Sequence, residues 1–237
     1  MSFDGVARIY EPGEYLVFGR ALQRCRLACL PDAGSLTGRT LVLGEGDGRF
    51  LEAFLQRNPN LVVDCVEASP AMIATAQARL SKSHPNWRDR VEFLCADARD
   101  WTPKPGNYNL LVSHFFFDCF GQEETAALVR KFGAAARPGA AWLIAEFDVP
   151  ARGPARWRAR LWISALYWFF RAASGITPRK LPRLGPLLRE AGFLLQEERR
   201  SSAGLLVSQK WILAPQLSSE RRSIHITSTT ATPTRCI

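Results

Sequence analysis

Short apolar runs alternate with amphipathic segments between residues 40 and 148. The runs are partly β-branched and end at glycine or polar residues, a pattern typical of buried strands. They predict five strands, in RTLVLG, LVVDCVEAS, RVEFLCAD, YNLLVSHFFF and AAWLIAEFD. Apolar residues recur at helical spacing between them, in GRFLEAFLQRNPN, SPAMIATAQARLSK and QEETAALVRKFGAAA. Strands that alternate with helices across short turns predict a parallel sheet with helices on both faces.

The segments on either side of this alternation have different patterns. Apolar residues at roughly helical spacing predict a leading helix from Gly13 to Leu30. Near the other end we expect a helix that closes at Gly192, and then two apolar strands joined through RRSSAG as an antiparallel hairpin. The chain therefore divides into an N-terminal helical cap at 1–35, an α/β domain at 36–214 with a helical insertion at 150–182, and a disordered tail at 215–237.

Composition restricts the class of protein. The 237 residues are 47% hydrophobic and 22% charged, which is enough to bury one core. No apolar stretch reaches the roughly 20 residues that span a bilayer, and MSFDGVARIY has no hydrophobic signal core, so we expect a cytoplasmic protein. The six cysteines show neither a CxxC pair nor a histidine spacing typical of zinc, and predict reduced, buried thiols and no metal site.

The net charge of +9 is concentrated in the C-terminal third of the chain. Between Arg152 and Arg200 there are eleven Lys or Arg residues against three Glu. Such a concentration is typical of a surface for nucleic acid, an anionic membrane or an acidic substrate, and equally of a solvated basic face. The charge alone leaves these readings open.

A glycine-rich turn lies where the first predicted strand meets a helix, at Gly44-Glu45-Gly46-Asp47-Gly48. Backbone N–H groups and the positive end of the helix make such a turn a ligand site, and glycine lets the ligand approach the main chain. The GxGxG spacing brings the third glycine one residue earlier than the GxGxxG of dinucleotide folds. An ordinary tight turn is the alternative.

Acidic residues at the ends of the next two strands narrow the class of ligand. Glu67 ends the second strand about 20 residues after the turn, where a carboxylate accepts hydrogen bonds from both ribose hydroxyls. Asp97 ends the third strand, in position to accept a hydrogen bond from an adenine amino group. The alternatives are a solvated carboxylate for Glu67 and a helix N-cap for Asp97.

Taken together, VLGEGDG, VEAS and CADA at successive strand ends resemble the class I S-adenosylmethionine-dependent methyltransferases. The resemblance implies S-adenosylmethionine as cofactor and a Rossmann-like sheet of seven mostly parallel strands, with helices on both faces and a C-terminal antiparallel hairpin. It implies that the glycine turn borders the methionine part of the cofactor. It places the ribose and adenine against Glu67, Ala68, Asp97 and Ala98, and the sulfonium and the substrate against His114 and Phe115.

The chain departs from this family at Val42, where many members carry an acid. We expect Glu45 and Asp47, inside the turn, to compensate at the amino-acid end of the cofactor site. The candidate catalytic residues are His114, Asp118 and Tyr10. A histidine packed beside FFF and a carboxylate that caps the next helix are the alternatives for the first two.

The segments that face the methyl acceptor favour an apolar small molecule. SHFFFDCF lacks the Asn/Asp-Pro-Pro-aromatic turn of enzymes that methylate exocyclic amino groups, and its three phenylalanines suggest an apolar or aromatic acceptor. Residues 157–170 are rich in aromatic and aliphatic side chains among flanking arginines, and from Leu161 to Phe170 the segment is apolar almost all round. They predict a lid over a hydrophobic pocket, a peripheral membrane contact, or a helix buried in a homodimer interface.

Two further motifs are similar to the ubiquinone/menaquinone-biosynthesis-like branch of the class. These are the opening FD.VA..Y, at Phe3 to Tyr10, and LLREAGF, at Leu187 to Phe193. The resemblance places Tyr10 over the cofactor. It implies methyl transfer to carbon or oxygen of a quinone precursor, polyketide or lipid-like compound. An RNA methyltransferase, a non-catalytic cofactor-binding protein and a nicotinamide oxidoreductase are the rival hypotheses, and nucleic acid is the less favoured partner.

Overall fold

A computed structural model describes residues 20–31, 36–148 and 181–215. The described strands are β1 (Gly38–Leu43), β2 (Leu61–Glu67), β3 (Val91–Cys95), β4 (Tyr108–His114), β5 (Ala136–Phe147), β6 (Phe193–Ser201) and β7 (Leu206–Leu213). The described α-helices are α1 (Ala21–Leu27), α2 (Arg49–Arg57), α3 (Pro70–Ser83), α4 (Gln122–Gly133) and α5 (Leu184–Glu190).

The strands form one sheet in the order β3-β2-β1-β4-β5-β7-β6. The first five strands pair in parallel, and β7 is antiparallel to both β5 and β6. The predicted mostly parallel sheet with a C-terminal antiparallel pair is therefore present. From β1 the chain continues to β2 and β3 on one side and then crosses back to β4 on the other side. A topological switch point therefore lies at the carboxyl end of β1, and open α/β sheets bind ligands at such points.

Alternation of apolar side chains along the strands builds a core on each face of the sheet. Val42, Val63 and Leu143 pack with Phe50 and Phe54 of α2 on one face. The opposite face is packed with α4 and α5 through Leu41, Leu111, Trp142, Phe132 and Leu188. Ser69 caps α3 through the N–H of Met72, with Pro70 in the first helical position, as its sequence predicts.

A buried polar network ties three neighbouring strands together at their amino-terminal side. Asp64 of β2 accepts hydrogen bonds from the Arg39 guanidinium of β1 at 2.7 and 2.6 Å. It also accepts the Tyr108 hydroxyl of β4 at 2.7 Å. The network joins β1 to both of its neighbours, β2 and β4. It therefore holds β1, whose carboxyl end leads into the glycine turn, in place.

Several sequence expectations differ from the structure in detail. The fourth strand ends at His114, because Phe115 has a φ of 52° and turns the chain out of the sheet. The fifth strand begins earlier than predicted, since Arg137 to Gly139 belong to β5. The strand β6 is an exposed sheet edge and not a second apolar strand, with Leu194 62% exposed.

Some expectations fall outside the described residues. These are Tyr10, most of the N-terminal cap, nearly all of the insertion at 150–182 including residues 157–170, and the tail beyond residue 215. Of the predicted leading helix, the described part is α1. Within the residues that are described, no helix is both long and apolar enough to cross a membrane.

Candidate cofactor and acceptor site

The glycine turn follows β1 at the switch point of the sheet, and its three glycines all have positive φ. The angles are 64° at Gly44, 73° at Gly46 and 84° at Gly48. A Cβ at Gly44 would lie 2.8 Å from the Phe116 ring, and one at Gly48 would lie 2.8 Å from the backbone of Ala76. Among the described residues, a Cβ at Gly46 would meet nothing within 4 Å. The outer glycines are thus packed against protein, and the middle one borders open space.

Glu67 holds this turn from the end of β2. Its carboxylate accepts the N–H of Gly46 at 3.1 Å and the N–H of Ser69 at 2.9 Å. The side chain is buried, and burial raises the pKa of Glu67 despite these hydrogen bonds. The alternative of a solvated carboxylate is therefore wrong. Gly46 and Ser69 bind different oxygens of the carboxylate, so a ribose hydroxyl would share an oxygen that already accepts a backbone N–H.

The two acids inside the turn have different surroundings. Glu45 is half-buried and accepts the N–H of Leu51 at 2.8 Å, and burial raises the pKa of Glu45 to about 8. Asp47 is buried and forms an ion pair with Arg49 at 2.7 Å, so its carboxylate anchors the start of α2. Val42, the departure from the family pattern, is buried in the core below α2.

The loop after β3 is held from two sides. Asp97 forms a bidentate pair with Arg99 and also accepts its backbone N–H at 2.9 Å, and this pairing lowers the pKa of Asp97. The described residues between β3 and β4 form no helix, so Asp97 is not a helix N-cap. Lys131 of α4 donates to the carbonyl oxygens of Ala98, Arg99 and Trp101 at 2.9, 2.6 and 3.1 Å. No local pattern in the sequence indicated this role for Lys131.

His114 at the end of β4 is buried against α2. Its ring meets Phe50 edge to face at 4.5 Å, and burial, assisted by Arg26, lowers the pKa of His114 well below its usual value. The imidazole is therefore neutral near pH 7. Its Nδ1 has no hydrogen-bond partner in the described part of the chain.

Aromatic rings line the exit from β4 and β5. Phe115 lies 5.0 Å from Phe147, and Phe116 lies 5.1 Å from Phe120. The buried guanidinium of Arg26, from α1, lies 5.3 Å from the centre of the Phe115 ring. An apolar surface with one cation at its border faces the carboxyl end of the sheet.

Asp118 and Glu146 bring two carboxyl groups to the same place. Asp118 lies in the 3₁₀ turn Phe117–Cys119, whereas α4 begins after Gly121, so Asp118 does not cap that helix. Glu146 of β5 accepts the N–H groups of Phe116 and Phe117. Sequence reasoning missed Glu146, because a single acid near the end of an apolar strand carries no local signal.

The described cysteines are free thiols that differ in burial. Cys25, Cys29 and Cys65 are free and buried as expected, but Cys95 is exposed. The described residues contain no group of three metal-ligating side chains.

The residues at the carboxyl ends of β1, β2 and β3 fit an adenosine-containing ligand. Gly46 leaves room beside the main chain, Glu67 offers acceptors for ribose, and Ala68 is an exposed small residue directly after β2, whereas Ala98 is buried in the core. The ligand would meet the polar turn at one end and the aromatic rings at the other.

Comparisons with known proteins agree with this fit. Residues 41–139 match the family described as a methyltransferase domain. A malonyl-acyl-carrier-protein O-methyltransferase of Ilyobacter polytropus is 35% identical over 77 residues, which cover 32% of this chain and 26% of that protein. A trans-aconitate 2-methyltransferase of Mycobacterium tuberculosis is 27% identical over 157 residues, which cover 64% of this chain and 55% of that protein. The chain thus matches at most about half the length of these curated relatives.

A solved structure extends the likeness of fold. The S-adenosylmethionine-dependent methyltransferase of Mesorhizobium loti superposes with a TM-score of 0.60 at 17% identity. The superposition covers 83% of this chain and 97% of that one. Residues 41–139 are therefore similar to a methyltransferase domain, and the solved structure shows that the fold is shared.

Proposed function

We propose that this protein transfers the methyl group of S-adenosylmethionine to carbon or oxygen of an apolar or aromatic small molecule. The observation that carries the proposal is the open space at Gly46, flanked by two glycines packed against protein and held by the buried Glu67 carboxylate. Within this cradle, the proposed ligands of the methionine part are the turn from Gly44 to Gly48, including Glu45 and Asp47. Glu67 and Ala68 take the ribose and one face of the adenine, and Asp97 and Ala98 take its edge.

The protein's task in such a transfer is mainly alignment. The sulfonium of the cofactor already activates the methyl group, so the chain has to position the acceptor in line and exclude water. Phe115, Phe116 and Phe147 supply the apolar surface for that purpose. His114 is neutral and packed on Phe50, so we assign it to the wall of this site. Tyr10 stays a prediction, as does its place over the cofactor.

The acceptor class follows from the same surface. A quinone precursor, a polyketide or a lipid-like compound fits the aromatic rings, and the ubiquinone/menaquinone-like branch stays part of this proposal. The names of both curated relatives refer to carboxylic acid derivatives, which supports including such acids in an acceptor screen.

The described residues give less support to RNA as the acceptor. Arg199 pairs with Glu197, and Arg200 pairs with both Glu198 and Asp148. These pairs neutralise much of the local charge that a phosphate track needs. The lid, membrane-contact and homodimer readings of residues 157–170 stay predictions.

The first test is calorimetric titration with S-adenosylmethionine, S-adenosylhomocysteine and NADH. Micromolar binding of the two sulfur compounds without binding of NADH is the expected result. Mass spectrometry of mixtures with small aromatic and carboxylate acceptors then identifies a methylated product. If neither sulfur compound binds, the proposal fails. If both bind but no small molecule is methylated while RNA is, the acceptor class is wrong.

A further inference from the structure

Glu146 has two carboxylate oxygens in very different situations. Oε1 accepts the N–H groups of Phe116 at 3.2 Å and Phe117 at 2.9 Å, which fixes the turn after β4. Oε2 is buried and has no hydrogen-bond partner among the described residues. The residue is only 5% exposed. An unpaired carboxylate oxygen in such a place is costly unless it serves a ligand or binds a proton.

The unpaired oxygen belongs to the ligand end of the sheet. Glu146 is the next-to-last residue of β5, and the N–H groups that it binds directly follow Phe115 at the end of β4. Phe116 in turn packs on the glycine turn at Gly44. The Glu146 carboxylate therefore lies at the end of β5, next to the turn whose Phe116 ring packs on Gly44.

The groups that face Glu146 are known from each neighbouring element. Asp118 and the thiol of Cys119 come from the 3₁₀ turn, and Cys25 comes from α1. Burial raises the pKa of Asp118 to about 6. Burial and the negative charge of Asp118 raise the pKa of Glu146 well above its usual value. Ionisation of one carboxyl therefore disfavours ionisation of the other, and the two groups titrate as a coupled pair.

We propose that Asp118 and Glu146 form a carboxyl pair that faces the transferred methyl group and takes up the proton lost by the acceptor. This inference rests on the proposed function. When the acceptor atom forms its bond to the methyl carbon, the carbon–sulfur bond breaks and its electron pair stays on sulfur. The acceptor's proton moves to the ionised carboxylate of the pair. The pair returns that proton to water when the product leaves.

His114 is less suited to this role. In the sheet His114 is in register with Ala145, and successive side chains of a strand point to opposite faces. Glu146 therefore projects from the face opposite to His114. A base whose pKa lies far below neutrality also has little affinity for the acceptor's proton. The proton acceptor is thus assigned to the other face.

The test needs no knowledge of the acceptor. S-adenosylmethionine carries a positive sulfonium, whereas S-adenosylhomocysteine has a neutral thioether and is otherwise the same. A positive charge beside the pair lowers the pKa of the pair, so binding of the sulfonium compound must release more protons. Calorimetry at about pH 7 in phosphate and in Tris, whose ionisation enthalpies differ, counts the released protons. We expect an excess of at least about 0.3 proton for S-adenosylmethionine.

Subtracting the proton release for S-adenosylhomocysteine from that for S-adenosylmethionine corrects for protons released by other groups. Glu45 and Glu67 also have raised pKa values, but they face the amino-acid and ribose parts that both ligands share. Their contributions cancel on subtraction. The affinity for S-adenosylmethionine, divided by the affinity for S-adenosylhomocysteine, should also rise between about pH 6 and pH 8. The rise is up to about tenfold for each unit by which the sulfonium lowers the pKa of the pair.

Two conservative variants test the assignment. Glu146→Gln retains an oxygen that accepts the two N–H groups, and Asp118→Asn retains the shape of its side chain. Each should bind both ligands and reduce the excess of released protons below about 0.1. Glu92→Gln is the matched control, because this exposed glutamate lies near the start of β3, and it should retain the excess.

The outcomes separate the two proposals. Binding of both ligands with equal proton release overturns the carboxyl pair and leaves the proposed function in place. An excess that persists in both variants also overturns the pair. Absence of S-adenosylmethionine binding to the unmodified protein overturns the proposed function, and the inference falls with it.

Discussion

The three glycines of one turn have three different surroundings. A Cβ at Gly44 would clash with the Phe116 ring, and one at Gly48 would clash with the backbone of Ala76. A Cβ at Gly46 would contact none of the described residues. All three need a left-handed backbone conformation, but only the middle position has room for a further group. Stability and ligand binding are therefore separable at this turn.

Alanine substitutions should separate these two roles. Gly46→Ala should cost about 1–2 kcal/mol of unfolding free energy, from the positive φ alone. Gly48→Ala adds overpacking against Ala76, so it should cost about 3 kcal/mol or more. Urea denaturation measures both costs, and calorimetry should show weaker cofactor binding for Gly46→Ala. A larger loss of stability at Gly46 would contradict this account.

Glu67 offers a sharper test of the cofactor cradle. Glu67→Ala removes acceptors for the Gly46 N–H and for the ribose, so S-adenosylmethionine binding should weaken at least about tenfold. Calorimetry gives the affinity, and thermal unfolding shows whether the variant is folded. The exposed carboxylate of Glu92, changed to alanine, is the matched control. Unchanged affinity in Glu67→Ala would remove the ribose assignment.

At the scale of elements, a helix on one face supports the loop that we propose for the adenine. Lys131 of α4 satisfies three carbonyl groups between Ala98 and Trp101. Arg99 braces the same loop through Asp97 and lies 3.6 Å from Glu124 of α4. The loop has little regular structure, so these side-chain contacts set its shape.

Removal of the Lys131 charge should loosen this loop. Lys131→Met leaves three carbonyl groups without their donor and should cost about 1–3 kcal/mol of unfolding free energy. S-adenosylmethionine affinity should fall, since Asp97 and Ala98 lose their fixed position. Arg130→Met, at the exposed neighbouring position of α4, is the control and should change neither quantity. Equal affinities in the two variants would show that the loop does not depend on Lys131.

At the scale of the whole molecule, the buried carboxyl of Glu146 links global stability to pH. Its pKa is raised in the folded protein, so above about pH 4.5 the folded chain binds more protons than the unfolded chain. This contribution is fully present at lower pH and is lost as pH rises through the raised pKa. Ionisation of the buried Glu146 carboxyl at high pH therefore lowers the free energy of unfolding.

Glu146→Gln should remove this cost. The difference in unfolding free energy between variant and unmodified protein should shift in favour of the variant from about pH 5 to about pH 8. Urea denaturation at several pH values measures it, with Glu92→Gln as the control. A difference that does not change with pH would mean that Glu146 is not held protonated by the fold.

Much of the fold follows from local sequence, since periodicity and turn chemistry act over a few residues. The alternation from residue 40 to 148 predicted five parallel strands and their helices, and Ser69 with Pro70 predicted the start of α3. The glycine turn and Glu67 were placed by their positions at strand ends. A parallel sheet brings such ends to one edge whatever the details of packing.

The tertiary structure alone decided which side chains meet across the chain. Lys131 reaches a loop 30 or more residues earlier, and Glu146 binds N–H groups about 30 residues before it. A helix cap was the alternative for Asp97 and Asp118, because a local pattern cannot show whether a helix begins there or a turn intervenes. The sequence alone predicted which edge of the sheet we propose for the cofactor, because the predicted strands and their connections place their carboxyl ends there. Burial and contacts between distant segments determined the charge state and partners of each acid.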